Sequence, residues 1–599
     1  MKKNFLALIK QINLFSEIIL GIIFIYSVIV LIATVGFYLD KNTIFLLIKI
    51  TNLSLLLFVL QELARIVFDK NKKKYVYERW FELAISILFL LILIFPSFTI
   101  NIINDLKSNI GGNLSVVEIY SINLTFIDLL LIITFLLKST RYIDAIMKLN
   151  LHPSAIFALS FALIIFTGAI FLSLPKATVD GETTSFIDAL FTSTSAVCVT
   201  GLVVHNTATH FTFFGKVIIL LLIQTGGLGV MTLTTFFATI IAGGLSVKAR
   251  FLMKEYLSQI NVETVGKLLL KILQYTFIIE TIGAIFLFIF GKSNEDKDFL
   301  SHIFNSIFHS ISAFCNAGFS TYKDGMMQNL IQNNYWYLSG IMGLIVLGGL
   351  GFAVLVELSQ LLKFKNLFNF KLYIKSKLSV SAKIVLLTTF GLNIIGSILI
   401  FIISPNIFQS LGTTFNTFFH SVFTTISAKT AGYNSVPMEL YSFPIAFVII
   451  FLMWVGASPG STGGGIKTTT FFLAFYSLLS QIRGKERVEV FKKELQPNNL
   501  TSAYLVIIAN LLSLSIGIFL LLLFETDKQP LDLVFEAVSA ASTVGLSRNL
   551  TPFLGEGGKL IIILLMFIGR VGFLNFYLAF YKPSKEPEYH YTKETINVG

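Results

Sequence analysis

Four short stretches of this chain set small, hydroxyl-bearing residues ahead of a glycine, a combination suited to holding a bare cation with backbone oxygens. They are Phe191-Thr-Ser-Thr-Ser195-Ala-Val-Cys-Val-Thr-Gly201, Phe308-His-Ser-Ile-Ser312-Ala-Phe-Cys-Asn-Ala-Gly318, Phe423-Thr-Thr-Ile-Ser427-Ala-Lys-Thr-Ala-Gly432 and Phe535-Glu-Ala-Val-Ser539-Ala-Ala-Ser-Thr-Val-Gly545. Each reads Phe-x-x-x-Ser-Ala and then runs to glycine, the third run being one residue shorter. The glycines lie 117, 114 and 113 residues apart, the mark of an internal repeat. A cation entering a filter gives up its water, and inward-facing carbonyls around one axis replace it. Turning carbonyls inward takes unusual φ and ψ, which glycine adopts at least steric cost. The expected ion-binding backbone is therefore Val199, Thr200 and Gly201, Asn316, Ala317 and Gly318, Thr430, Ala431 and Gly432, and Thr543, Val544 and Gly545. A helix aimed at the same point would add the partial negative charge of its C-terminal carbonyls.

A second layer of glycines follows each stretch: Gly226-Gly227-Leu-Gly229, Gly348-Gly349-Leu-Gly351, Gly463-Gly464-Gly465-Ile466 and Gly569-Arg570-Val571-Gly572. Arg570 thus takes the place held by Gly227, Gly349 and Gly464. An arginine in an apolar span is costly and usually faces a cavity or a partner, so Arg570 is expected to point into the conduit as a barrier to cations. The third cluster belongs to Ala457-Ser-Pro459-Gly460-Ser461-Thr462-Gly463-Gly464-Gly465-Ile-Lys467-Thr. Pro459 and this many glycines cannot sustain a helix, and the segment is expected to be an intramembrane gate loop. It is not a P-loop, because Ile466 separates Gly465 from Lys467. It is also expected to be the only broken helix.

These residues need a scaffold, and the composition says what kind. Of 599 residues, 55% are hydrophobic and 13% charged, with mean hydropathy +0.80, where soluble domains carry about 25% charge. This is the composition of an all-α polytopic membrane protein. Apolar runs near 14–37, 43–68, 81–100 and 120–147 predict four N-terminal transmembrane helices. Eight more lie near 154–174, 213–243, 266–290, 335–362, 381–403, 443–480, 501–524 and 557–581, long enough to span. Between them sit shorter segments near 184–197, 301–314, 412–428 and 530–543, read as re-entrant pore helices. The result is four helix–pore-loop–helix repeats in a pseudo-fourfold arrangement: an N-terminal extension over 1–150, repeats over 151–260, 261–370, 371–490 and 491–582, and a tail over 583–599.

The net charge of +12 resides mostly in alternate connections. Lysines and arginines cluster at 70–79, 138–148, 248–254, 363–383, 483–493 and 582–585, while Glu182, Asp188, Glu295, Asp296, Asp298, Glu525 and Asp527 fall in the others. The positive-inside rule then places both termini in the cytoplasm and the pore loops outside. Nucleic acid is not expected as a partner; membrane lipid is. Two cysteines exclude a disulfide framework. The scattered histidines show no metal or nucleophile spacing, so neither an enzyme nor a covalently bound cofactor is expected. His309 and His420 are expected to pack or hydrogen bond within pore helices.

Over 152–582 these motifs resemble the Trk/Ktr/HKT superfamily of potassium transporters, in particular its KtrB/TrkH-like membrane subunits. The resemblance implies K⁺ at the filter as the transported ion, with Na⁺ permeation or coupling as an alternative. It also implies a cell-membrane homodimer and a cytosolic nucleotide-binding regulatory ring of the KtrA/TrkA type. By that resemblance Gly201, Gly318, Gly432 and Gly545 are filter glycines, and glycine in all four repeats is the K⁺-selective pattern. Residues 457–468 are the gate and Arg570 the conduit arginine. Two features depart from it: Lys429 stands where arginine is commoner, and the four-helix extension has no equivalent of that length. An unrelated secondary transporter of an organic solute is the remaining alternative, though inverted repeats and paired broken helices would be its usual signs.

Overall fold

The computed structural model describes residues 2–68, 80–95, 116–139, 153–229, 265–291, 298–361, 378–403, 413–485, 487–580 and 594. The basic clusters at 70–79, 248–254 and 582–585, most of that at 363–383, and all of the tail but 594 lie outside them.

The extension is four helices: α1 (Lys2–Gly36), α2 (Lys41–Phe68), α3 (Trp80–Ile94) and α4 (Val116–Ser139). α1 packs along α4 and α2 along α3. Leu20, Ile23, Leu55, Phe58, Phe89, Ile127 and Leu131 form a core of their own. The extension meets the rest where Lys176 Nζ donates to the Thr34 carbonyl, 2.8 Å away, near the end of α1. There a cation is favoured by the exposed carbonyls of the last turn.

The first helices of the repeats are α5 (Pro153–Leu172), α8 (Val265–Phe290), α12 (Val380–Ile403) and α16 (Pro497–Phe524). Each has the length and apolar content to span. The pore helices are α6 (Phe186–Val197), α9 (Phe299–Phe314), α13 (Thr414–Ala428) and α17 (Pro530–Ala541). Their starts are written locally. Ser185 and Thr413 accept from the amides of Asp188 and Asn416, Asp298 and Ser301 form a capping box, and Pro530 opens α17. At 12 to 16 residues none of them can cross a bilayer.

The second helices correct an expectation. The third was to be the only broken one, but the second and fourth also break at their glycine clusters, and the first reaches its cluster and ends there, residues 230–243 of its expected span lying outside the described residues. α7 (Phe213–Leu228) stops at Gly229, with φ +79°. α10 (Tyr335–Gly349) turns by 104° into α11 (Phe352–Leu361) at Gly351, φ +87°. α14 (Phe443–Trp454) and α15 (Thr468–Ile482) flank the loop. α18 (Glu556–Val571) turns by 95° into α19 (Phe573–Phe580) at Gly572, φ +94°. A left-handed residue ends a helix, and glycine takes that conformation most easily. A two-residue antiparallel pair, β1 (Glu489–Val490) and β2 (Lys493–Glu494), lies on the connection before α16.

Candidate functional site

The four pore-loop runs fold alike. Val199, Asn316, Thr430 and Thr543, two residues before each glycine, have positive φ of +57°, +59°, +79° and +49°. The glycines follow at +94°, +71°, +76° and +95°. Left-handed backbone is uncommon for any residue with a Cβ, so four copies at one register describe one repeated turn. In repeats 1, 2 and 4 the amide before the glycine bonds the serine carbonyl five residues back: Thr200 to Ser195 (2.8 Å), Ala317 to Ser312 (2.7 Å) and Val544 to Ser539 (2.8 Å). The shorter third run closes in four, Ala431 to Ser427 at 2.9 Å. The missing residue is therefore lost from the turn and not from the strand. The serine hydroxyls complete each turn. Ser195 and Ser539 accept from the amides of Gly201 and Gly545 at 3.0 and 3.1 Å, and Ser312 donates to the Phe319 carbonyl at 2.9 Å. Ser427 donates to the Tyr433 carbonyl.

The strands meet as a closed ring. A methyl group built on Gly201 would reach the Ala317 carbonyl oxygen, one on Gly318 that of Ala431, one on Gly432 that of Val544, and one on Gly545 that of Thr200. All four would come within 3.0 Å. Outside it runs a second ring of hydrogen bonds. Asn206 Nδ2 donates to the Lys323 carbonyl at 2.6 Å, and Gln332 Nε2 to that of Ser435 at 2.7 Å. Arg548 donates to the carbonyls of Met438 and Tyr441 at 2.9 and 3.1 Å, and Lys559 Nζ to Asp188 at 2.5 Å. Each bond joins one repeat to the next and the last joins repeat 4 to repeat 1. The four glycines open on a cavity of about 570 Å³ whose walls include Asp324 and Glu439.

Beneath the ring, Gly226, Gly348 and Gly569 lie so close to the carbonyls ending α6, α9 and α17 (Val197, Phe314 and Ala541) that no side chain fits between. The loop between α14 and α15 is stitched to its surroundings. Ser458 N and Thr462 N donate to the carbonyls of Gly349 and Gly348 at 3.0 and 3.3 Å, and Phe352 N donates to Gly460 O at 3.0 Å. Gly464 N donates to Thr543 Oγ1 at 3.0 Å and Lys467 Nζ to Gly463 O at 2.8 Å. Ser461 Oγ folds back on Ser458 O at 2.6 Å, and Gly465 has φ +70°. Arg570 donates to Thr462 O of this loop and to Gly226 O at the end of α7. The expected barrier residue thus holds the expected gate loop by its backbone.

Other side chains support the strands. His309 bonds the Asn305 carbonyl (2.8 Å) and Ser320 (2.9 Å), and His420 bonds Ser435 (2.9 Å), tying pore helices to the segments beyond the glycines. Sequence reasoning missed Glu536, buried behind the fourth strand, whose carboxylate accepts from Ser547 (2.8 Å) and Thr551. Its sign was an acid inside a pore helix. The link from Tyr433 hydroxyl to the Phe319 carbonyl, 3.1 Å, left no sequence signal. Among the described residues no three His, Cys, Asp or Glu side chains gather as metal ligands.

Parallel helix–pore-loop–helix repeats converging on one ring of glycines define a helical membrane transport protein. The chain belongs to the TrkH family of cation transport proteins, whose model matches residues 156–589. It is 37% identical over 449 residues to the Ktr system potassium uptake protein B of Vibrio alginolyticus, covering 74% of this chain and 94% of that one. It is 35% identical over 457 residues to the potassium/sodium uptake protein NtpJ of Enterococcus hirae, covering 75% and 98%. The crystal structure of the potassium transporter TrkH from Vibrio parahaemolyticus superposes with a TM-score of 0.57 at 16% identity, covering 81% and 95%, a likeness of fold.

Proposed function

We propose that this chain takes up potassium ions across the cell membrane. The carrying observation is the closed ring: four left-handed glycines, each against a carbonyl of the next repeat. In this reading the carbonyls of Val199, Thr200 and Gly201 and of their counterparts in repeats 2 to 4 replace the water of K⁺. Ion passage is controlled below, where Gly460–Gly465 and Lys467 form the gate and Arg570 supplies both a positive charge and the latch that holds the loop. The names of the Ktr-type relatives support K⁺. The Enterococcus hirae relative, named for both ions, favours Na⁺ permeation or coupling as the second reading. The alternation of basic and acidic connections supports cytoplasmic termini. Family membership supports a homodimer working with a cytosolic nucleotide-binding ring.

Growth of a K⁺-uptake-deficient host, with K⁺ and Na⁺ varied separately, tests this. Expression of the chain should restore growth at low K⁺ with or without Na⁺, or only with Na⁺ if the second reading holds. Failure to restore growth in either medium, with the protein present in the membrane, would sink both.

A further inference from the structure

Three residues before the filter glycine, repeats 1, 2 and 4 carry Cys198, Cys315 and Ser542, and repeat 3 carries Lys429. The small side chains leave little room: a methyl group on Gly227 would meet Cys315 Sγ at 2.5 Å, and one on Gly465 would meet Ser542 Cβ at 3.4 Å. Repeat 3 is looser. A cavity of about 20 Å³ lies beside Lys429, lined by Gly349 of α10, Ala457 of the loop, Thr389 and Asn393 of α12 and aliphatic side chains. Thr389 and Asn393 are four residues apart and so share a helix face. Lys429 and Thr389 are buried, and Lys429 Nζ, Thr389 Oγ1 and Asn393 Oδ1 are buried atoms without hydrogen-bond partners.

Unpaired buried polar atoms are costly, and a polar cavity above about 10–15 Å³ admits one water. We propose that this cavity binds a single water molecule, which accepts from Lys429 Nζ and donates to Asn393 Oδ1 and Thr389 Oγ1. Three bonds are the usual complement of a buried water. A cation would face the amine, and a halide would need the Asn393 amide turned to present its NH2 and the Thr389 hydroxyl to donate; a water accepts from the amine and donates to both oxygens as they stand. The water connects the residue that caps α13 to the first helix of the same repeat. It thereby braces the one pore loop with a shortened turn, immediately before left-handed Thr430. This inference does not depend on which ion the protein carries.

The test uses the full chain in lipid nanodiscs. A high-resolution cryo-EM map should show one peak within hydrogen-bond distance of all three atoms, unchanged when chloride is replaced by gluconate. A peak lost on that exchange, or direct contact of Lys429 with Asn393, overturns the proposal. Thermal unfolding supplies a second readout. Asn393→Leu should lower the midpoint, and adding Lys429→Met should recover part of the loss, because the amine no longer needs a partner. Strictly additive losses overturn it. If Asn393→Leu fails to accumulate, Thr389→Val with and without Lys429→Met gives the same comparison on the other acceptor.

Discussion

Gly545 shows how little latitude a single position in the ring has. Its φ of +95° lies where a side chain is strained, and a Cβ there would strike the Thr200 carbonyl. A left-handed residue with a Cβ costs about 1–2 kcal/mol before any clash. Gly545→Ser is therefore expected to lower the K⁺ over Na⁺ preference sharply while the protein still reaches the membrane, as measured by ion-selective uptake. Ser195→Ala acts more gently. It leaves the buried Gly201 amide unpaired, a loss of about 1–3 kcal/mol, and should lower thermal stability and selectivity together. A stable variant with normal selectivity would show the hydroxyl to be dispensable. The glycines were legible in the sequence because the chemistry needs that one residue type and the spacing repeats it. The serine hydroxyls were visible as a motif, but their work on the amides of Gly201 and Gly545 depends on turn geometry that no spacing encodes.

Among the elements, the broken second helices carry the argument. The break between α14 and α15 could be read from Pro459 and its run of glycines. Those at Gly351 and Gly572, and the stop of α7 at Gly229, could not, because two or three glycines in an apolar span are compatible with a continuous helix and only their φ decides. Arg570, expected from sequence to be a charge in the conduit, donates to both Thr462 O and Gly226 O, the placement that the proposed latch requires. Arg570→Ala should thus raise K⁺ flux severalfold in reconstituted vesicles, and Arg570→Lys, with the charge kept but the forked geometry lost, should fall between. Equal flux from Ala and Lys variants would mean the latch matters more than the charge, and unchanged flux from both would dismiss either role.

For the whole molecule, the outer ring of hydrogen bonds closes on the contact between Lys559 and Asp188, residues 371 positions apart. Lys559→Met should lower the unfolding midpoint, and the exchanged pair Lys559→Asp with Asp188→Lys should recover part of it. The same corner holds His205, 3.4 Å from Asp188 and stacked on His210, whose Nε2 bonds Thr184 at 3.1 Å. Burial, then the neighbouring His205 charge, push the His210 pKa below its ordinary 6.5. Above pH 6.5 the ring is neutral whether folded or not, and its full contribution to stability is present. As pH falls from 6.5 toward the lowered value the unfolded ring takes up a proton that the folded ring refuses, and stability is lost across that window. His210→Gln should flatten the acid side of a melting-point profile, and an unaltered profile would assign the sensitivity elsewhere. The extension was legible as four helices from hydropathy alone. Its seat on the pore, Lys176 on the last turn of α1, was not, because a lysine in a short connection has no sequence sign of its distant partner.

The ring of four glycines is made by one polypeptide. In an assembly of four identical chains every quadrant must carry the same residue, so a basic side chain enters four times or not at all. A single covalent chain escapes that rule. It can place one arginine below one quadrant, at Arg570, and one lysine behind another, at Lys429, while Gly227 and Cys315 keep the corresponding places small. The carbonyl against which each glycine lies is also always that of the neighbour in the same rotational sense. Mutational epistasis around the ring should accordingly be directional: a change at Gly201 should couple to Ala317 more strongly than to Val544.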